Sequence, residues 1–298
     1  MNPALSVVIL TQNEEANVAA ALRSVLPWAA ATCVVDSYSV DRTADIARSL
    51  GAIVHEHRFE HWADQRNWAL DNLPLSTPWV FFLDADEWVP EETRRSIDNL
   101  LADVPAGVAA VRVRFDYRFL GRSIPRSFDS HAVVRIIRLG RARWSAQGAR
   151  EYCAADGAVL ELAAPIVHED RKGLAAWIEK QRRNALREAL ATLAAERDAC
   201  SPPPERKVRA WLRRNVYRRL PLFARPLAYF FYRYFLRLAF LEGLPGLVYT
   251  VLHGFWYHFL VDALCYERKL PPLSAPPVPP ERVAAEKDRL LHDPSPSR

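Results

Sequence analysis

W-V-F-F-L-D-A-D-E-W, residues 79–88, is the stretch on which the reading of this chain turns. A short apolar run rich in aromatic and β-branched residues is the pattern of a buried strand, and this one stops at two carboxylates separated by one small residue. In extended backbone, residues two apart point to the same side. Asp84 and Asp86 therefore aim at one point beyond the strand's carboxyl end. Two hard oxygen ligands at one point suit Mg2+ or Mn2+, which keep their other positions for water and substrate phosphates. A solvated turn with locally hydrogen-bonded Asp would use the same letters, so the surroundings must decide.

Three β-turn-α units precede the motif. Residues 5–10 form an apolar strand closed by T-Q-N-E-E at 11–15, after which Val18, Leu22, Val25 and Leu26 recur at helical spacing. A second strand at 32–35 ends at Asp36; Ser39 or Asp41 can cap the next helix, and Gly51 stops it. The third strand, 53–55, leads into a helix over 62–73. Strands alternating with helices predict an α/β fold with a mostly parallel sheet. Such sheets bind ligands at the carboxyl ends of their strands. Thr11, Asp36 and the Asp84/Asp86 pair hold that position on three strands, which predicts one built site. No G-x-G-x-x-G follows strand one and no G-x-x-x-x-G-K-[ST] occurs anywhere, which argues against a dinucleotide fold or a P-loop.

Downstream, Pro-Glu-Glu opens a helix over 90–102. From Val108 the apolar period shifts to two, in V-A-A-V-R-V-R-F-D-Y-R-F and A-V-V-R-I-I-R-L. Between them, 121–131 reads as a loop carrying Arg122, Arg126 and His131. This smaller mixed-sheet half is expected to complete a cleft above the first sheet. A long amphipathic helix covers 174–197, and S-P-P-P at 201–204 marks a boundary. The expected divisions are 1–200, a basic and aromatic helical region at 201–270, and a Pro-rich, charged tail at 271–298 with a short helix near 281–291.

Arg206, Lys207, Arg209, Arg213, Arg214, Arg218 and Arg219 crowd one segment, and 222–240 is then dense in Phe, Tyr and Leu. Arg225, Arg233 and Arg237 fall within a sector of roughly 120° on a helical projection, leaving a wide aromatic face. That pattern predicts a helix lying in the bilayer interface with its arginines near anionic headgroups; packing on the catalytic domain is the alternative. Residues 246–261 carry no formal charge but fall short of the ~20 that a span needs.

The chain has 298 residues, half of them apolar, and a formal net charge of +5. Cys33, Cys153, Cys200 and Cys265 are widely spaced without C-x-x-C, and are expected to be reduced in a cytosolic compartment with no zinc site. The opening M-N-P-A-L-S-V-V-I-L lacks the basic region and cleavage site of a signal peptide. A nucleic-acid partner is not expected, because the basic run is backed by aromatics at helical spacing rather than by a recognition module.

Together, T-Q-N-E-E, V-V-D-S-Y-S-V-D-R-T at 34–43 and F-L-D-A-D-E-W at 82–88 resemble the family 2 glycosyltransferases of the GT-A fold, over about residues 4–190. W-A-D-Q-R-N-W-A-L at 62–70, V-H-E-D-R-K at 167–172 and F-L-E-G-L-P-G-L at 240–247 are similar to the bacterial lipopolysaccharide-core β-glucosyltransferase group. That group often shows Gly-x-Val-His-Glu where this chain has Gly148-Ala149-Arg150-Glu151, so the neighbouring His is absent here.

The resemblance implies an inverting, metal-dependent transfer from a UDP-sugar, with glucose carried by resemblance only, to a lipid-linked surface glycan at the inner face of the cell membrane. Asp86 would hold Mg2+ or Mn2+, Asp84 would sit between ribose and metal, and His168 would be a further ligand or diphosphate contact. Thr11, Asn13, Glu14 and Asp36 would hold uridine and ribose, with Arg66 and Asn67 facing the donor or bracing the loop. The acceptor needs a carboxylate base within hydrogen-bond reach; Glu151 matches the family motif, and Asp170 and Glu169 follow. Arg122, Arg126 and Arg135 are candidate contacts to anionic acceptor groups. Other classes are a Mg2+-dependent phosphatase with Asp84 as nucleophile and a non-catalytic membrane scaffold. Three βα units ahead of the motif weigh against the first, and Thr11, Asp36, Asp84 and Asp86 together weigh against the second.

Overall fold

The structure, a computed structural model, describes residues 2–129, 131–147, 150–197 and 221–270. The basic run at 206–219, the S-P-P-P boundary, the 271–298 tail and its expected helix lie outside these residues.

Strands β1 (Asn2–Thr11), β2 (Ala29–Asp36), β3 (Ile53–Glu56) and β4 (Trp79–Asp84) alternate with helices α1 (Val18–Val25), α2 (Thr43–Ser49) and α3 (Trp62–Asn72). They form one side of a seven-stranded sheet completed by β6 (Val108–Val113), β9 (Val133–Arg138) and β12 (Ala158–Glu161), in the order β12-β6-β9-β4-β1-β2-β3. Only β9 runs against its neighbours. The expected mixed α/β fold with a mostly parallel sheet is therefore present.

The strands read as unbroken apolar runs because both sheet faces are covered. Val7, Ile9, Phe81 and Leu83 pack with Val18, Leu22 and Ile97 on one face. Val8, Leu10, Val80 and Phe82 pack on the other with Ala63, Ala69 and Trp144. This alternation is what fixes the direction in which each strand's terminal carboxylate leaves the sheet.

After β4 the chain makes a two-residue strand β5 (Glu87–Trp88) and helix α4 (Glu91–Ala102). A second sheet, ordered β5-β13-β7-β8, joins β5 to β13 (Ile166–His168), β7 (Phe115–Phe119) and β8 (Arg122–Ser123). The stretch read as a plain loop thus begins in a β7–β8 hairpin, with Leu120 and Gly121 at positive φ in its turn. Strands β10 (Ala142–Gln147) and β11 (Arg150–Ala155) form a separate ribbon beside α3.

Helix α5 (Gly173–Arg197) crosses to the C-terminal helices, where Ala185 and Ala189 pack on Tyr257, Val261 and Cys265. The helix expected over 222–240 is broken. Helix α6 (Ala224–Phe231) passes into a π-helical turn (Tyr232–Leu236) and stops where Leu238 takes φ +59. A bend of 67° leads into the run Ala239–Glu267, which contains α7 (Gly243–Tyr249) and α8 (His258–Glu267). Among the described residues no single helix is long and apolar enough to cross a membrane; only this bent pair meets the length and composition of one together.

The arginines expected to face headgroups turn inward instead. Arg225 pairs with Asp262, and Arg233 and Arg237 both pair with Asp129. Desolvating a guanidinium is tolerable only with a partner, and each finds a carboxylate on a neighbouring element. What faces outward at the bend is apolar: Phe235 is 50% exposed, Leu236 77% and Leu244 74%.

Candidate active site

The sheet brings three of the expected polar strand ends side by side. Thr11 pairs in register with Asp36, and Leu10 with Asp84. Thr11 Oγ1 donates to Asp36 Oδ1 at 2.8 Å, and Asp36 also accepts from the Ser39 backbone N–H and hydroxyl. Asn13, at φ +55, donates its N–H to Ser39 Oγ and accepts from the Val40 N–H at Oδ1. The turns after β1 and β2 are thereby stitched into one polar floor.

Asp84 sits in an ion-pair chain. Arg135 grips it with both terminal nitrogens, at 3.2 and 2.6 Å, and reaches Glu87 Oε1 at 2.6 Å. Arg66 Nη2 approaches Asp84 at 3.3 Å, while its Nε faces both Glu151 oxygens at 3.1 and 3.2 Å. Burial opposes the Asp84 charge, but Arg135 and Arg66 hold its carboxyl well below the usual range. Burial likewise works against charged Arg135, and Asp84 and Glu87 more than offset it. Arg66 is steadied further by the Phe82 and Trp144 rings, 5.4 and 5.8 Å from its guanidinium carbon.

Asp86 belongs to a second cluster. Its Oδ2 lies 3.5 Å from His168 Nε2 and 3.4 Å from Lys180 Nζ. The β5–β13 pairing sets His168 opposite Glu87, and Glu169 N–H donates to the Asp86 carbonyl. Tyr117 stacks on the His168 ring at 4.9 Å. Burial opposes protonation of His168, and Asp86 and Glu87 raise its pKa against it. Asn17 bridges Glu14 and Asp170 through its side-chain amide, at 2.7 and 3.0 Å, and Lys180 Nζ lies 3.7 Å from Asp170 Oδ2. Burial opposes the Asp170 charge, yet the Asn17 and Lys172 hydrogen bonds hold its pKa down.

Several expected roles change with this geometry. Asp84 accepts from two guanidiniums, those of Arg66 and Arg135. Arg135, expected at the acceptor, is buried against Asp84 and Glu87. Asn67 takes the bracing alternative of its expected pair of roles: its amide donates to the Trp144 carbonyl at 2.8 Å and accepts the Trp144 N–H at 3.0 Å. Glu14 lies with Asp170 and Lys172 rather than with Thr11 and Asp36. Among the described residues, no three His, Cys, Asp or Glu side chains converge as a metal cage. Asp86 and His168 fit the sparser pattern in which one or two protein ligands share Mg2+ or Mn2+ with phosphates and water.

Lys180, Asn17, Glu87 and Tyr117 were not singled out by the sequence. One signal existed for Lys180, since it lies three residues after the buried Trp177 and so beside it on α5, half-exposed at the edge of the site.

Residues 6–154, half the chain, match the family described as Glycosyl transferase family 2. The chain belongs to glycosyl transferase family 2. Relatives within it include the lipopolysaccharide core biosynthesis glycosyltransferase LpsC of Rhizobium meliloti, 32% identical over 145 residues, which cover 47% of this chain and 53% of LpsC. An uncharacterised glycosyltransferase of Rickettsia typhi is 35% identical over 98 residues, 33% of each chain. This family 2 chain thus spans about a third to a half of the length of the curated relatives it matches. Among solved structures, the mannosyltransferase PcManGT from Pyrobaculum calidifontis, in complex with GDP-Man and Mn2+, aligns over 97% of this chain and 80% of its own at 17% identity and TM-score 0.43. Glucosyl-3-phosphoglycerate synthase from Mycobacterium tuberculosis, in complex with Mn2+ and UDP-glucose, aligns over 38% and 43% at 24% identity and TM-score 0.33.

Proposed function

We propose that this family 2 enzyme transfers a sugar, glucose as first choice, from a UDP-sugar to a lipid-linked surface glycan such as lipopolysaccharide core, with inversion. The observation that carries the reading is the junction of two clusters. The Thr11/Asp36/Asp84 floor offers hydrogen-bonding groups for a nucleoside, and Asp86, His168 and Lys180 stand beyond it where a diphosphate would lie. The similarity to LpsC supports the surface-glycan class.

A divalent ion at Asp86 and His168, Mg2+ or Mn2+, would neutralise the diphosphate leaving group. Of the three carboxylates considered as base, Glu151 spends both oxygens on Arg66 and Glu169 accepts from Arg171, whereas Asp170 keeps Oδ2 turned toward Lys180. In a single displacement the acceptor oxygen attacks the anomeric carbon and gives its proton to Asp170. The bond from that carbon to the diphosphate oxygen breaks, and its electron pair leaves on the diphosphate. Lys180, whose ammonium is favoured against burial by Asp86, Asp170 and Glu14, lies where that charge develops.

Placement on an anionic membrane surface, on its cytoplasmic side, is part of the same reading. It is supported by the apolar bend near Leu236 and Leu244 and by the run of seven Arg and Lys residues at 206–219.

Isothermal titration with UDP, with and without Mn2+, tests the core of the proposal on wild type and Asp86→Ala. Metal-dependent UDP binding that the substitution abolishes is the expected result. No binding of UDP or any other nucleotide under any metal condition would turn the reading toward a non-catalytic scaffold.

A further inference from the structure

Beside Asp170 the described residues line an open-mouthed cavity of about 220 Å³ between the β7–β8 hairpin, residues 169–171 and the start of α5. Its wall is aromatic, formed by Tyr117, Phe119 and Trp177, and Trp177 Nε1–H points to the Tyr117 hydroxyl at 3.3 Å. Its polar groups come as two donors and two acceptors: Arg118 and Arg171 against Glu169 and Asp170. These groups are held in place. Arg118 is steadied by Asp116 at 3.2 Å and by the Trp88 ring, and Arg171 by Glu169 at 3.1 Å.

Two contacts tie this cavity to the reacting centre. Asp170 lines it and is linked to Asp86 through Lys180, which is 3.7 Å from one carboxylate and 3.4 Å from the other. Tyr117 forms part of the wall while stacking on His168. A hydroxyl lodged against Asp170 from the cavity side would therefore meet the donor across the Lys180 ammonium.

We infer that this cavity is the acceptor subsite and that it takes one neutral, hydroxyl-rich sugar ring. The inference rests on the proposed function and adds the chemical class of the acceptor's reacting unit. Pockets for drug-sized ligands run to ~300–1,000 Å³, so this smaller one suits a single ring. Vicinal hydroxyls both donate and accept, which matches alternating guanidinium and carboxylate groups, and the apolar face of a pyranose suits an aromatic wall. A phosphate or carboxylate on that ring would meet Glu169 and Asp170 as like charges, while Arg118 and Arg171 already face Asp116 and Glu169. The expectation that the acceptor is held through anionic groups by Arg122, Arg126 and Arg135 gives way here, since none of the three lines the cavity.

Saturation-transfer NMR on the full chain, with UDP and Mn2+ present, tests this with methyl α-glucoside, methyl α-mannoside and glucose 6-phosphate as probes. At least one neutral glycoside should receive saturation, and glucose 6-phosphate should bind at least tenfold more weakly. Leu120→Trp, which narrows the mouth from an exposed turn, and Arg118→Leu should each reduce glycoside binding at least tenfold. Arg95→Gln, which removes a charge on α4 outside the cavity, should leave it intact. Circular dichroism confirms that each variant is folded. Wild type that binds UDP but none of the glycosides would overturn this inference alone, as would glycoside binding indifferent to both cavity variants, or glucose 6-phosphate binding as tightly as the glycosides. Failure of the wild type to bind UDP at all would overturn the functional reading beneath it.

Discussion

The strand-end site and the C-terminal helices handle charge in the same way and apolar surface in opposite ways. In both, arginines turn inward to carboxylates: Arg135 to Asp84 and Glu87 in the site, Arg233 and Arg237 to Asp129 in the helices. In the site the apolar residues are sealed beneath the sheet, and at the bend they are left outside. Charge spent inside therefore leaves the first region a polar floor and the second an exposed apolar knuckle, the two features on which the proposed ligand and membrane contacts rest.

The sharpest way to break this comparison is Arg135→Met. Glu87 is fully buried, and removing the guanidinium leaves Asp84 with Arg66 and Glu87 with the more distant His168, 3.8 Å away. Loss of one partner from a buried ionic group costs about 3–5 kcal/mol, which a shift in the denaturant midpoint would register. A variant as stable as wild type would show that water already shares this pair. Asp86→Ala comes next. It removes the group proposed to hold the ion, so transfer should fall by about 10²–10³-fold with little change in melting temperature. Equal losses from Asp84→Ala and Asp86→Ala in rate but not in stability would erase the distinction between brace and ligand.

For the helices, Phe235→Ser combined with Leu241→Ser should lower partitioning onto vesicles containing anionic phospholipid by about tenfold or more, from the apolar area removed. Sedimentation with the vesicles reads this, and unchanged partitioning would place the docking surface elsewhere. The smallest effect concerns His253, sandwiched between Tyr249 and Tyr257. Burial, then the neighbouring His258 and Arg233, push its pKa down to about 3. An unfolded His titrates near ~6.5, so the unfolded state takes the proton first and stability falls as pH drops from about 6.5 toward 3. At pH 5 the loss is about 1–2 kcal/mol, and His253→Phe should flatten that part of the pH–stability curve.

The sequence carried the sheet and its polar edge because both are local. Apolar runs show each strand, and the residue that ends the run shows what stands at its tip, as at Thr11, Asp36 and Asp84. Partner choice is not local. Nothing near Asp84 announces that a guanidinium from 51 residues downstream will grip it, and helical periodicity makes Arg233 and Arg237 read as an outward stripe because it cannot see Asp129. Asn67 was ambiguous for the same reason, since its brace, the Trp144 backbone, belongs to a ribbon 77 residues away. Lys180 is a further case, a half-exposed charge whose contact with Asp86, 94 residues earlier, no periodicity announces.

Strand β9 sets a schedule for the growing chain. It lies between β4 and β6, yet it is made after both. While residues 1–113 are the only ones available, β4 and β6 present open edges to each other, and Asp84 has Arg66 while Glu87 awaits the guanidinium of Arg135. Because β9 runs opposite to its neighbours, its early residues arrive at the edge where those carboxylates stand, so the insertion that closes the sheet also delivers Arg135. The nascent chain thus has one step that fills the gap between β4 and β6 and braces Asp84 and Glu87, ahead of β12, His168 and Lys180, and before it the exposed β4 edge is where a chaperone would find something to hold.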